Sequence, residues 1–145
     1  MEIIVSHKNM DFDALASVVG ASLLHPEAQP VISANVNPNV RGFLSLHKDL
    51  FQFELARDLD LERVERLIVV DANRWSRLDG MRPLSERDDL EVHVWDHHPD
   101  PSDIDAAWSR QENIGAASSL LVEELRKREA EISSIHATLL LAGIY

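Results

Sequence analysis

The chain has 145 residues, 45% of them hydrophobic and 27% charged, which suits one globular domain with a real core and excludes a disordered tract. It carries 25 acidic against 14 basic residues, a net charge of -11, which argues against long duplex nucleic acid as a partner but leaves small phosphate esters open. Cysteine is absent, so disulfides, thiolate metal sites and cysteine nucleophiles are excluded, and oxygen and imidazole remain as donors suited to Mg, Mn or Zn.

Residues 2–6 read as a buried strand, and residues 13–24 as a helix ended by Pro26. The small residues Ala14, Ala16, Ser17, Gly20 and Ala21 suit close packing of that helix on a sheet. Residues 30–35 read as a second strand, 35–39 as a turn cluster, and Pro38 as the start of a helix to about Lys48. Phe51 to Leu55 alternates like an edge strand, and 59–64 looks like a short helical turn. Residues 67–70 are a strong buried strand, 74–89 a polar loop with a short helix around Arg77-Leu78, and 90–95 the next strand. In that strand Val92 and Val94 share one face, His93 and Trp95 the other. An amphipathic helix runs from Gly115 to about Arg128, and a final one begins near Ser133. This alternation predicts an α/β fold, a doubly wound and mainly parallel sheet with helices on both faces. There is no signal peptide pattern at the Met-Glu start and no apolar run of about 20 residues, so a cytoplasmic location and no membrane partner are expected.

Three polar clusters follow three of these strands directly. His7, Asn9, Asp11 and Asp13 follow Ile3-Ile4-Val5; Asp71 follows Leu67-Ile68-Val69-Val70; Asp96, His97 and His98 follow Val92 to Trp95. Open parallel sheets bind ligands outside the carboxyl ends of their strands, so the clusters converge on one edge. Counting donors assigns His7, Asp11 and Asp71 to one divalent ion and Asp13, Asp71 and His97 to a second, with Asp71 bridging. The oxygen and imidazole mixture suits Mn(II), with Mg(II) as the harder rival. Two such ions can activate water and clamp a phosphate for in-line displacement. Each cluster alone has an ordinary reading: Asp13 as an N-cap, or residues 96–100 as a polar turn ended by Pro99. It is their joint placement after three strands that makes a site.

His25, His47, His93 and His136 lack acidic partners at ligand spacing and read as structural or exposed. Trp75 and Trp108 could stack a base, and Lys8, Arg74 and Arg110 could contact phosphate, although packing and surface charge are their ordinary roles. Asn113 to Ser118 opens a helix with small residues: either its amides receive an anion or Asn113 caps a helix packed on the sheet.

His7-Asn9-Asp11-Asp13, Asp71 and Asp96-His97-His98 together resemble the first three motifs of the DHH phosphoesterase superfamily over nearly the whole chain. That group includes RecJ-type exonucleases, oligoribonucleases acting on very short RNA, and manganese-dependent inorganic pyrophosphatases. The resemblance implies hydrolysis of a phosphoester or phosphoanhydride with two Mn or Mg ions. It implies His7, Asp11, Asp13, Asp71 and His97 as ligands, Asp96 as the partner orienting an imidazole, and His98 as the phosphate contact or general acid. Asn9, Gly115 and Ser118 would lie beside the substrate. The family's fourth motif places an Asp right after a segment like Leu140 to Tyr145, where this sequence stops, and a C-terminal substrate-binding domain follows in the family. Residues 1–145 are therefore expected to be the N-terminal part of a larger protein, impaired or inactive alone. Residues 37–51 and 67–73 are similar to a subgroup in which the module precedes CBS domains and a poly(A)-polymerase-like tRNA nucleotidyltransferase. The expected substrate is a short oligonucleotide or dinucleotide. The alternatives are pyrophosphate or polyphosphate hydrolysis, and a non-catalytic nucleotide-binding regulatory module.

Overall fold

A computed structural model describes residues 1–145. Its strands are β1 (Glu2–Val5), β2 (Gln29–Ile32), β3 (Glu54–Leu55), β4 (Arg66–Val70), β5 (Glu91–Asp96) and β6 (Trp108–Gln111), and its α-helices are α1 (Phe12–Leu24), α2 (Pro38–Leu46), α3 (Ala117–Lys127) and α4 (Ser134–Ile144). They form one 6-stranded sheet in the order β3-β2-β1-β4-β5-β6, parallel throughout. The α/β doubly wound architecture expected from the sequence is the one observed. Strand order reverses between β1 and β4, so the carboxyl ends of these two strands flank the crevice in which such sheets hold ligands.

Alternation along the strands divides the core in two. Ile4, Ile68, Val70 and Trp95 pack under Leu15, Val18, Leu120, Leu121 and Leu139 of the α-helical layer. Ile3, Val5, Leu67, Val69, Val92 and Val94 face Leu78, Met81, Leu84 and Ile104 on the other side. Strands buried on both faces must be apolar throughout, which is why β1 and β4 are so plain in the sequence. Right-handed crossovers running first one way and then the other from the centre place their connections on opposite faces. Helices thus cover both faces, unequally: α-helices on one, short 3-10 helices (Trp75–Arg77 and Arg82–Glu86) on the other.

The small residues of α1 do admit close neighbours. A Cβ on Gly20 would lie 3.0 Å from the Leu121 Cβ, and one on Gly143 only 2.4 Å from the Ala16 Cβ. Glycine at 143 lets the end of α4 press against the start of α1. One strand departs from expectation: β6 carries Ser109, Arg110 and Gln111, pairs only with β5, and shows no apolar signal. The edge strand expected over 51–55 shrinks to Glu54–Leu55, and α2 ends at Leu46. No helix is long and apolar enough to cross a membrane.

Candidate metal centre

The loop after β1 brings His7 inward, buried. Its Nδ1 lies 2.8 Å from the Lys8 carbonyl oxygen. A carbonyl can only accept, so Nδ1 carries the proton and, in the neutral ring, Nε2 offers a lone pair. That Nε2 sits 3.4 Å from Asp71 Oδ2 and 3.9 Å from Asp11 Oδ1. His97, after β5, repeats the arrangement: Nδ1 is 2.9 Å from the Ile114 carbonyl, and Nε2 is 3.1 Å from Asp71 Oδ1 and 3.6 Å from Asp13 Oδ2.

Asp71 stands between the two rings, 3% exposed. Its amide donates to the Trp95 carbonyl at 2.8 Å, extending the β4–β5 ladder by one residue. The backbone then turns at φ 54, a left-handed conformation uncommon outside glycine. The two Asp71 oxygens face different imidazoles, and Oδ1 has no hydrogen-bond partner although it is buried.

Asp11 and Asp13 have separate backbone duties. Asp11, exposed, caps α1 by accepting from the Ala14 amide at 3.0 Å; the capping considered for Asp13 at this helix belongs to Asp11. Asp13 instead reaches α3, where Oδ2 accepts from the Ala117 amide and Oδ1 from the Ser118 amide, both at 2.8 Å. The two amides that open α3 are thus taken by Asp13, and Gly115, expected beside the substrate, lies exposed just before them. The anion at that helix start is a protein carboxylate, Ser118 is fully buried, and a Cβ on exposed Gly115 would meet nothing within 4 Å. Asn9, at φ 62, donates its amide to the Asn35 carbonyl at 2.7 Å and shapes the loop.

His98 is engaged at both nitrogens. Nδ1 lies 2.7 Å from Asp96 Oδ1, and the Arg77 guanidinium lies 3.0 Å from Nε2. Guanidinium can only donate, so Nδ1 carries the His98 proton and gives it to Asp96. Asp96 is fully buried and also accepts from the His98 amide at 3.2 Å and from Gln111 Nε2 at 3.4 Å. It orients His98 rather than His97.

The residues fit a divalent cation. His7, Asp11 and Asp71 place ligand atoms within 4.8 Å of one another, as do Asp71, His97 and His98. In the second group His98 has no free nitrogen, and Asp13 Oδ2, 3.6 Å from His97 Nε2, is the better third donor. Electrostatics agree. Burial alone would lower the His7 pKa, yet Asp71 and the Lys8 carbonyl hold it above the ordinary imidazole value. At His97 burial is likewise outweighed, by the Ile114 carbonyl and the Asp71 and Asp13 carboxylates. Burial, with Asp71 nearby, raises the Asp13 carboxyl against its amide donors. Both imidazoles thus favour a positive charge at Nε2, which a metal ion supplies as well as a proton does.

Asp11, Asp13, Asn37, Asn39, Ala142 and Gly143 line an open cavity of about 320 Å³ beside these donors. Arg77 is the residue that sequence reasoning missed. It lies in a 3-10 helix docked on the β1 loop through its carbonyl, 2.9 Å from the Lys8 amide, and nothing in its spacing announces the contact with His98. His93 pairs with Glu91 at 2.8 Å, away from this cluster, and Arg110 pairs with Glu112 and Glu123.

An A-adding tRNA nucleotidyltransferase of Geobacter sulfurreducens is 34% identical over 147 residues, covering 100% of this chain and 17% of that protein. A probable manganese-dependent inorganic pyrophosphatase of Lactobacillus delbrueckii subsp. bulgaricus is 26% identical, covering 99% of this chain and 46% of that protein. The chain therefore spans under half the length of either relative. The fold matches the crystal structure of an exopolyphosphatase-related protein from Bacteroides fragilis with a TM-score of 0.78, at 20% identity, over 98% of this chain and 44% of that one. The model of the DHH family, N-terminal domain, matches residues 2–144. With that match over nearly the whole sequence, the chain belongs to the DHH family, as its N-terminal domain.

Proposed function

We propose that this domain is the core of a two-metal phosphoesterase that cleaves phosphodiester bonds in short oligonucleotides or dinucleotides. The observation that carries the reading is the geometry of Asp71: one buried carboxylate whose two oxygens face the Nε2 atoms of His7 and His97 at 3.4 and 3.1 Å. In this reading His7, Asp11 and Asp71 hold one Mn or Mg ion, and Asp13, Asp71 and His97 the other. The bound pair would supply Lewis acidity toward a phosphoryl group and its attacking water.

The rest is the work of side chains. Carbonyls at Lys8 and Ile114 fix both ligand rings in the tautomer that presents Nε2. Asp96 holds His98, and Arg77 stands against it, so the pair would offer an imidazole and a guanidinium to phosphoryl oxygens as charge develops. In the present arrangement His98 Nε2 accepts from Arg77 and has no proton to give, so either role for His98, phosphate contact or general acid, needs an N–H at Nε2 in place of the bond from Arg77. Helix α4 carries Ala142 and Gly143 into the cavity shared with Asp11 and Asp13. An acidic residue just after Tyr145 would complete the second ion's ligands, and a further domain would close the site.

Similarity to the Geobacter tRNA nucleotidyltransferase supports a place for this domain in a longer RNA-modifying polypeptide. Similarity to the probable pyrophosphatase favours a second reading, pyrophosphate or polyphosphate hydrolysis. The full-length protein with Mn(II) separates them: mononucleotide released from a dinucleotide is the expected product, and phosphate from pyrophosphate alone overturns the first reading. A regulatory nucleotide-binding role predicts Mn(II) binding or nucleotide binding with no product from either substrate.

A further inference from the structure

A second cavity lies at the far ends of the helices that begin at the metal centre. It has a volume of about 360 Å³, within the range of small-molecule sites, and only two of its 8 lining residues are hydrophobic. Helix α3 starts at Ala117, whose amide holds Asp13, and ends at Lys127 on this cavity, so the two places are about 15 Å apart at 1.5 Å per residue. On the sheet side, Trp108 and Arg110 of β6 share one wall, as their i, i+2 spacing requires. These are the tryptophan and arginine whose chemistry suits a base and a phosphate, and the metal centre uses neither.

The lining combines the two kinds of group a nucleotide needs. Trp108 is 41% exposed, and its ring centroid stands 4.7 Å from that of Trp95 and 5.8 Å from that of His93, an aromatic corner partly open to solvent. Arg110, Lys127 and Arg128 share this wall with Glu124, which lies 2.9 Å from Arg128 and 4.0 Å from Lys127, and the Lys127 and Arg128 side chains remain more than half exposed. Glu112 and Glu123 at the rim hold the Arg110 guanidinium in place. Trp95, in the same wall, is 4% exposed, and its Nε1–H has no acceptor in the protein.

We propose that this cavity is a second, metal-independent nucleotide site that takes a purine nucleoside monophosphate, its base against Trp108 and its phosphate toward Lys127 and Arg128. Stacking accounts for the base, and the exposed ammonium and guanidinium of Lys127 and Arg128, which can turn from Glu124, for the phosphate.

The test titrates the full chain with adenosine monophosphate in EDTA, followed by calorimetry. Saturable binding is expected, weaker by about tenfold or more in Trp108→Ala and retained in Trp108→Phe, which keeps a stacking face. The double variant Lys127→Gln/Arg128→Gln should weaken the nucleotide while leaving adenosine unchanged. His97→Ala should bind as the parent does. No binding in EDTA, equal binding by Trp108→Ala, or loss of binding in His97→Ala would each overturn the assignment. Because metal is absent throughout, none of these outcomes bears on hydrolysis at the metal centre.

Discussion

The two ends of the same central strands both carry acidic side chains and treat them oppositely. At the amino ends, Arg66 pairs with Glu2 at 2.8 Å and with Glu91 at 3.1 Å, and the chain's own amino group pairs with Glu65 at 2.8 Å. Each acid there has a fixed cation, and these pairs are partly open to solvent. At the carboxyl ends, Asp71 is buried with imidazoles alone beside it, and Asp13 is raised by burial and by Asp71. One end is electrostatically closed, and the other keeps an excess of donors. Acidic charge alone does not separate structural from functional groups in this sheet; the partner does, a fixed guanidinium at one end and an imidazole at the other.

The sharpest way to break the contrast is at Asp71. Asp71→Asn keeps the shape but removes the charge that faces both rings. Mn(II) affinity measured by calorimetry should fall by about a hundredfold or more, since even changes behind a ligand cost 10- to 100-fold, and turnover by the full-length protein should fall with it. Equal heats from variant and parent would discard the metal centre.

That end of the sheet was legible because its signals are local. Apolar runs at 3–5, 67–70 and 92–95 mark the buried strands, and each is followed at once by His7, Asp71 or Asp96-His97-His98. What stayed hidden depends on partners distant in the chain. Asp13 satisfies amides 104 and 105 residues away, so its bond to α3 has no trace in spacing. Strand β6 is held by the β5 backbone rather than by apolar side chains, and Arg77 reaches His98 only because a 3-10 helix docks on the β1 loop. The left-handed turn at Asp71 is likewise a tertiary outcome, since nothing about an aspartate after a strand demands φ 54.

Arg77 sharpens the contrast from the cationic side, as a guanidinium without a carboxylate partner among the ion pairs of the protein. Arg77→Gln should leave Mn(II) binding intact and reduce kcat/KM for the phosphoester by about 10- to 100-fold, the worth of one hydrogen bond to a charged group. Unchanged kinetics would remove Arg77 from the site.

Packing at the same end is tested by Gly143→Ala. The added Cβ would meet the Ala16 Cβ at 2.4 Å and the Phe12 carbonyl at 2.9 Å, so α4 must move from α1. A loss of about 1–3 kcal/mol in denaturant unfolding is expected. Gly42→Ala, where nothing lies within 4 Å of the new Cβ, should not destabilise.

Proton linkage gives a smaller effect with a defined sign. His7 and His97 have pKa values raised in the fold, so their contribution is full below the unfolded value near 6.5 and is lost as pH rises through the folded value. Asp13 is also raised, so ionising it above an unfolded value of about 4 acts against the fold in the same direction. In EDTA the melting temperature should fall between about pH 5.5 and pH 8. Mn(II) requires the deprotonated rings, so the stabilisation it confers should grow across that range. A metal-free melting temperature that rises with pH would contradict the arrangement.

The least effect is expected where pairing is complete. Arg66→Gln removes a cation that touches Glu2 and Glu91, with all three side chains about a third exposed or more. Solvent screens such pairs, and the expected loss is about 1 kcal/mol or less, reduced further at high salt. Mn(II) binding and its pH dependence should be those of the parent, because the sheet separates this cluster from the donors by the length of β4. A change in metal affinity in Arg66→Gln would mean that the two ends share one electrostatic field, and the distinction between closed and open charge would fail.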